Sequence, residues 1–280
     1  MNIWSLLLLA GLSTVPTESS ALRLDERSPE ESIFERVVVI GASLSSGFGL
    51  ERELGAPLNL AKVLDEVLVA EHGAILSNVQ PWFFADPEGY GRLMIDDVVE
   101  RDPTLVVAID FPFWFGYGSL EEDERVARLE RGLSLLEELN CPVVVGNFPN
   151  MEAALGSMLS VIQIPESATL KALNDRIRAW TDQKPTRMLA DLATYSDLIR
   201  EERDVRVGSG WEGKRAKELL QEDQLHPSLV GAVMIAIMTG EVLSKDVNEV
   251  ETSSFDLDIE VVVERLRTMY GVPRAPVKED

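Results

Sequence analysis

The residues whose chemistry invites attention are a serine that closes a β-rich run and a histidine that precedes an apolar helix. Val37-Val38-Val39-Ile40 runs into Gly41-Ala42-Ser43-Leu44-Ser45-Ser46-Gly47-Phe48-Gly49, so Ser43 is the first hydroxyl after the strand. A serine is a weak nucleophile at its free pKa and needs a base beside it. The chain holds only 2 histidines, His72 and His226. His72 stands before Gly73 at the expected end of a helix, where a C-terminal cap accounts for it. His226 lies in Asp223-Gln224-Leu225-His226-Pro227-Ser228, with Pro227 expected in the first turn of a helix over 229–243. An aspartate three residues ahead can accept from the imidazole Nδ1, fix its tautomer and leave Nε2 free to take a proton from a serine. Taken alone, Asp-x-x-His before a helix suits a cap or a surface position equally well. Joined to a serine at a strand end, it offers a nucleophile, a base and an orienting carboxylate.

Such groups need a scaffold, and the hydrophobic pattern supplies one. Apolar runs at 37–40, 74–76, 105–109, 143–145 and 187–189 read as strands buried on both faces of a parallel sheet. Between them, 58–71, 120–139 and 167–181 read as amphipathic helices, with Val126, Leu129, Leu133 and Leu136 stepping by three and four. The type of 256–266 stays open. Alternation of strands and helices predicts an α/β fold, a doubly wound, five-stranded parallel sheet. Ligands of such sheets bind outside the carboxyl ends of the strands, which is where Ser43 lies.

The opening loop resembles the first block of the SGNH (GDSL-type) hydrolases, in which Gly-Asp-Ser-Leu is followed by small residues and Gly-aromatic-Gly. Asp223-x-x-His226-Pro227 is similar to that family's last block. The resemblance spans roughly 37–243 and implies a flavodoxin-like three-layer α/β/α sandwich. It implies further that Ser43 is the nucleophile, His226 the general base and Asp223 its orienting acid, in acyl transfer to water without metal or cofactor. The chain departs from the family at three places. Ala42 replaces an Asp; Ser77-Asn78-Val79-Gln80 has no glycine for the second block; and Asp110-Phe111-Pro112-Phe113 stands where Gly-x-Asn-Asp is usual. Losing one oxyanion donor costs about two to three orders of magnitude in rate. Asn78 and Asn147, at the ends of the second and fourth strands, are the candidate replacements. Asp110 is expected to be turned aside or bonded to loop N–H groups, since an ionised carboxylate would repel the oxyanion.

Phe113 and Trp114, with Phe111, Phe115, Tyr117, Trp82, Phe83 and Phe84, form an aromatic cluster at sheet ends. It suits either a core plug under the loops or a substrate-binding wall. The glycines of the opening loop match no phosphate-binding motif, and 2 histidines with 1 cysteine leave little for zinc. With 26 basic against 48 acidic residues the net charge is −22, which excludes nucleic acid as a partner.

The apolar run 3–12, followed by Ser19-Ser20-Ala21, reads as a signal peptide of residues 1–21 and predicts a secreted or periplasmic protein with no later membrane segment. An extension over 22–34, a hydrolase-like domain over 35–250 and a C-terminal extension over 251–280 complete the expected organisation. The expected function is hydrolysis of a small-molecule or polysaccharide ester. The alternative is a catalytically weakened domain that binds carbohydrate or lipid in the same cleft.

Overall fold

A computed structural model of the chain describes residues 32–201, 203, 205–208 and 216–272. The expected signal peptide, residues 22–31 of the expected extension and residues 273–280 lie outside the described residues. Five strands, β1 (Val37–Gly41), β2 (Leu76–Val79), β3 (Leu105–Ala108), β4 (Val143–Gly146) and β5 (Arg187–Ala190), pair in parallel in the order β2-β1-β3-β4-β5. This is the flavodoxin-like order, and it places the topological switch point between β1 and β3.

Strand side chains alternate between faces, and each face is covered by helices. Val37, Val39, Leu105 and Val107 pack on one side with α1 (Leu50–Leu54), α2 (Leu60–Val67) and two helices from the end of the chain. Val38, Ile40, Val106, Val143 and Val145 pack on the other with α3 (Pro87–Glu100), α4 (Phe113–Gly116), α5 (Glu122–Leu136) and α6 (Ser167–Thr181). After β5 come α7 (Leu192–Arg200), α8 (Ala216–Leu219), α9 (Leu229–Asp246) and α10 (Ile259–Met269). Most of α9, including Val233, Ala236, Ile237 and Thr239, is buried, as expected of a helix apolar on nearly every side. The result is the three-layer α/β/α sandwich the sequence predicts.

Several local expectations are corrected. The second strand, expected over 74–76, starts only at Leu76 and takes in Ser77 and Asn78, which an edge strand tolerates because only one side of it pairs. The helix expected over 58–71 ends at Val67: Leu68 is extended and bridges Phe255, and Val69 N–H donates to Ser254 O (2.8 Å). His72 therefore caps no helix, and its Nδ1 lies 2.7 Å from Gly73 O instead. Pro227 precedes the N-cap Ser228 of α9, whose hydroxyl accepts from Gly231 N–H (3.1 Å). Helix α3 was not expected, although Asp86-Pro87 opens it with a capping carboxylate and a proline in the first turn. The undecided segment 256–266 takes in the first eight residues of α10, which belongs to the same compact unit as the sheet. Arg265 Nη1 donates to Glu66 O at 2.8 Å and Tyr270 OH to Pro57 O at 3.2 Å, so a boundary at 250 does not divide the fold.

One buried cation organises the loops at the carboxyl edge. Arg125, 1% exposed, donates from its guanidinium to the carbonyls of Gly116, Gly118, Leu120 and Ile162 at 2.7–3.2 Å and to Glu122 Oε1 at 2.7 Å. The planar fork of arginine satisfies carbonyls that would otherwise be buried without partners. Arg125→Met should lower the free energy of unfolding by about 3 kcal/mol, measured as a shift of the urea midpoint at constant slope.

Candidate active site

The loop that leaves β1 is held by a carboxylate from the end of β3. Asp110 is buried, and its Oδ2 accepts from the N–H groups of Leu44 (2.9 Å) and Ser45 (3.3 Å) while Oδ1 accepts from Ser45 Oγ (2.5 Å). Burial pushes the Asp110 carboxyl above its ordinary value against the pull of these donors. Asp110 lines the same cavity as Ser43, with its oxygens committed to the loop, as expected for a carboxylate beside a site of developing negative charge. Gly41 is required by the same contact. Its φ is 154°, and a Cβ there would lie 2.0 Å from Asp110 Oδ1.

The far partner comes from the entry to α9. Asp223 Oδ1 accepts from the N–H groups of Leu225 and His226, each at 2.9 Å, and its Oδ2 lies 2.8 Å from His226 Nδ1. Burial raises the Asp223 carboxyl, but the donors of His226 and Leu225 outweigh it and hold the carboxyl below the ordinary value. An ionised carboxylate can only accept, so Nδ1 carries a proton, and in the neutral ring Nε2 then presents the lone pair. His226 is 3% exposed, and its Nε2 is buried and makes no hydrogen bond.

Two residues that the sequence reading did not single out bring these loops together. Gln221 Nε2 donates to Phe48 O (2.7 Å) and to Pro227 O (2.9 Å), and Gln221 N–H donates to His226 O (2.8 Å). The Phe48 ring packs on the His226 imidazole with centroids 4.5 Å apart and planes inclined at 34°. Gly49 lies at φ 82°, and a Cβ there would meet Gln221 Oε1 at 2.1 Å, so the close approach needs glycine. Glu53 Oε2 then accepts from Leu229 N–H (3.0 Å), fastening α1 to the start of α9. No local motif marks Gln221, because its function is defined only by the long-range contact. Phe48 could have been found as the aromatic of the Gly-Phe-Gly turn.

Ser43, Asp110, Phe113, Asn147 and His226 all line one cavity of about 40 Å³ at the switch point. Asn147 Oδ1 accepts from Ala193 N–H (2.8 Å) and its Nδ2 donates to Asp191 Oδ1 (2.6 Å), which fixes the end of β4 to the start of α7. The amide nitrogen carries two hydrogens, so one remains after the Asp191 bond. Asn78 does not reach this cavity: its Nδ2 donates to Asp97 Oδ2 on α3 (2.8 Å). Trp114 does not line it either. It is buried between Phe84 and Phe113, while Phe83, Phe111, Phe115 and Tyr117 are fully buried in the core. Most of the aromatic cluster is thus the plug beneath the loops, and Phe113 alone of it faces Ser43's cavity. The Tyr117 hydroxyl, whose pKa burial drives upward, donates to Pro149 O (2.7 Å) and ties the β3 loop to the β4 loop.

No family model matches the chain, and no curated protein matches it. Among solved structures, TesA is similar at 14% identity and a TM-score of 0.49 over 75% of this chain and 99% of its own. The psychrotrophic esterase EstA from Pseudoalteromonas sp. is similar at 15% identity and a TM-score of 0.49, over 77% and 100% of the two chains. A GDSL-like lipase from Bacteroides thetaiotaomicron is similar at 15% and 0.46, over 75% and 89%. The chemistry of this chain is accordingly read from its own side chains.

The raised carboxyl of Asp110 has a pH consequence. A group whose pKa is higher in the folded than in the unfolded chain keeps its proton longer when folded, so stability falls as pH rises from the ordinary carboxylate range through the folded value. In Asp110→Asn, Oδ1 can still accept from the loop N–H groups and Nδ2 can donate to Ser45 Oγ. The variant should therefore lose this pH-dependent fall relative to the parent, read from urea midpoints at pH 5 and pH 8.

Proposed function

We propose that this chain is a serine ester hydrolase of the SGNH type, with Ser43 as nucleophile, His226 as general base and Asp223 as its orienting acid. The observation that carries the proposal is the Asp223–His226 pair, whose Nε2 is buried without a partner beside a cavity that Ser43 also lines. In the first step Ser43 Oγ attacks the ester carbonyl and its proton passes to His226 Nε2. The tetrahedral intermediate collapses, the C–O bond to the alcohol breaks, and the alcohol leaves with the proton from Nε2. Water then repeats the sequence on the acyl-enzyme and releases the carboxylic acid. Asp223 stabilises the imidazolium formed in each half-reaction.

The donors for the oxyanion follow from what is uncommitted. The Leu44 N–H is held by Asp110 and Asn78 by Asp97, whereas the Ser43 N–H enters no hydrogen bond among the described residues. We assign the oxyanion to the Ser43 N–H and the second Asn147 amide hydrogen. Export through a signal peptide of residues 1–21 belongs to the same reading and is supported by the apolar run and small residues of that segment.

The engagement of Asn78 and Leu44 N–H elsewhere favours the second reading, a binding domain for carbohydrate or lipid with little catalysis. A fluorophosphonate probe separates the two. The hydrolase reading expects labelling of the wild type and none of Ser43→Ala, with His226→Ala and Asp223→Asn slowed by about three to four orders of magnitude. A wild type that resists labelling, under conditions where an esterase control reacts, supports the binding domain.

A further inference from the structure

The cavity at Ser43 does not end there. A second cavity of about 170 Å³ shares Leu44, Pro149, Met151, Leu192 and Leu225 with it. Leu44 follows Ser43 and Leu225 precedes His226, so the common wall includes the immediate neighbours of the two groups assigned to the chemistry. Beyond that wall the cavity is bounded by α7, α9 and the loops at 150–153 and 220–227, with Tyr195, Ile199, Met234 and Ile235 giving apolar surface beside the polar Asn150, Ser196 and Gln224. Its two charged lining residues, Glu152 and Arg200, are both exposed. Tyr195 uses its hydroxyl on Arg206 O (3.4 Å).

We propose that this second cavity is the acyl chamber, and that the substrate is an ester of a medium-chain fatty acid, hexanoyl to octanoyl. The inference rests on the serine-hydrolase reading and adds the substrate class to it. Three considerations carry it. Apolar surface takes up apolar groups, and a cavity of about 150 Å³ accepts benzene, a six-carbon ring. A cavity of about 170 Å³ thus suits a chain of similar carbon count beyond the carbonyl that sits at Ser43. A cavity that continues from that of Ser43 also suits the part of the ester that stays bonded to Ser43 after the alcohol has left with its proton. The wall shared with the Ser43 cavity is entirely apolar, so an acyl chain passes it at no cost, whereas a sugar or glycerol alcohol would lose the partners of its hydroxyls there.

Each methylene buried there is worth up to about fourfold in kcat/KM. The test is the chain-length profile of p-nitrophenyl acetate, butyrate, hexanoate, octanoate and dodecanoate, with fluorophosphonate labelling of Ser43 run on the same preparations. The wild type should favour octanoate over acetate by about tenfold or more and fall off again at dodecanoate. Ile199→Trp should lower the octanoate-to-acetate ratio about tenfold by filling the chamber, and Ile199→Ala should move the optimum to longer chains. Loss of folding cannot produce these opposite shifts. A wild type fastest on acetate, or two variants with the parental profile, overturns the acyl chamber while labelling at Ser43 leaves the hydrolase reading standing. Absence of both labelling and turnover overturns the two together.

Discussion

The site depends on a single amide. Gln221 Nε2 bonds at once to a carbonyl of the loop after β1 and to a carbonyl of the loop before α9, and so fixes the distance between chain segments that lie at opposite ends of the domain. A typical intramolecular hydrogen bond contributes only about 1 kcal/mol net. Its importance here is positional, because proton transfer between hydroxyl and imidazole fails when either drifts by an ångström or so. The other contacts at this junction act in the same direction. Phe48 packs at a tilt against the imidazole, Glu53 holds the first residue of α9, and Gly49 leaves room for the glutamine to reach.

The second constraint is the buried carboxylate under the nucleophile loop. Asp110 orders the loop by accepting three hydrogen bonds, and in doing so it consumes the Leu44 N–H that could otherwise face an oxyanion. A loop ordered in this way is rigid and electrostatically unusual. The Asp110 carboxyl is met by local donors and not by a counter-ion, and burial raises its pKa against their pull. Asn147 is held in a comparable manner through Asp191 and Ala193, which keeps an amide nitrogen at the cavity wall with one hydrogen to spare. Preorganised donors of this kind cost no reorganisation when charge develops, the condition under which electrostatic stabilisation is most effective.

Much of the architecture was legible in the sequence because the central strands are continuous β-branched runs and the helices between them carry a clear stripe. The edge strand was displaced by a few residues, since Ser77 and Asn78 lie where a one-sided strand tolerates polarity. The end of α2 was misread because a tertiary contact ends it, the bridge of Leu68 to Phe255, and no local stop signal exists there. Within the site, the Asp223 to His226 pairing was within reach of local spacing, and the inward turn of Asp110 followed from charge alone. The fates of Asn78 and Trp114 were not legible. Each is decided by a partner far away in sequence, Asp97 on α3 for the one and Phe84 for the other.

The central claim is that Ser43 attacks while His226 Nε2 holds its proton and the Ser43 N–H faces the oxyanion. A crystal structure of the protein after reaction with an alkyl phosphonate inhibitor tests this directly, since the phosphoryl oxygen stands where the oxyanion would. The account predicts a covalent bond from phosphorus to Ser43 Oγ, His226 Nε2 within hydrogen-bond distance of an ester oxygen, and the phosphoryl oxygen within about 3.1 Å of the Ser43 N–H. Phosphorus attached to another residue, or a Ser43 adduct with His226 beyond reach, would contradict it.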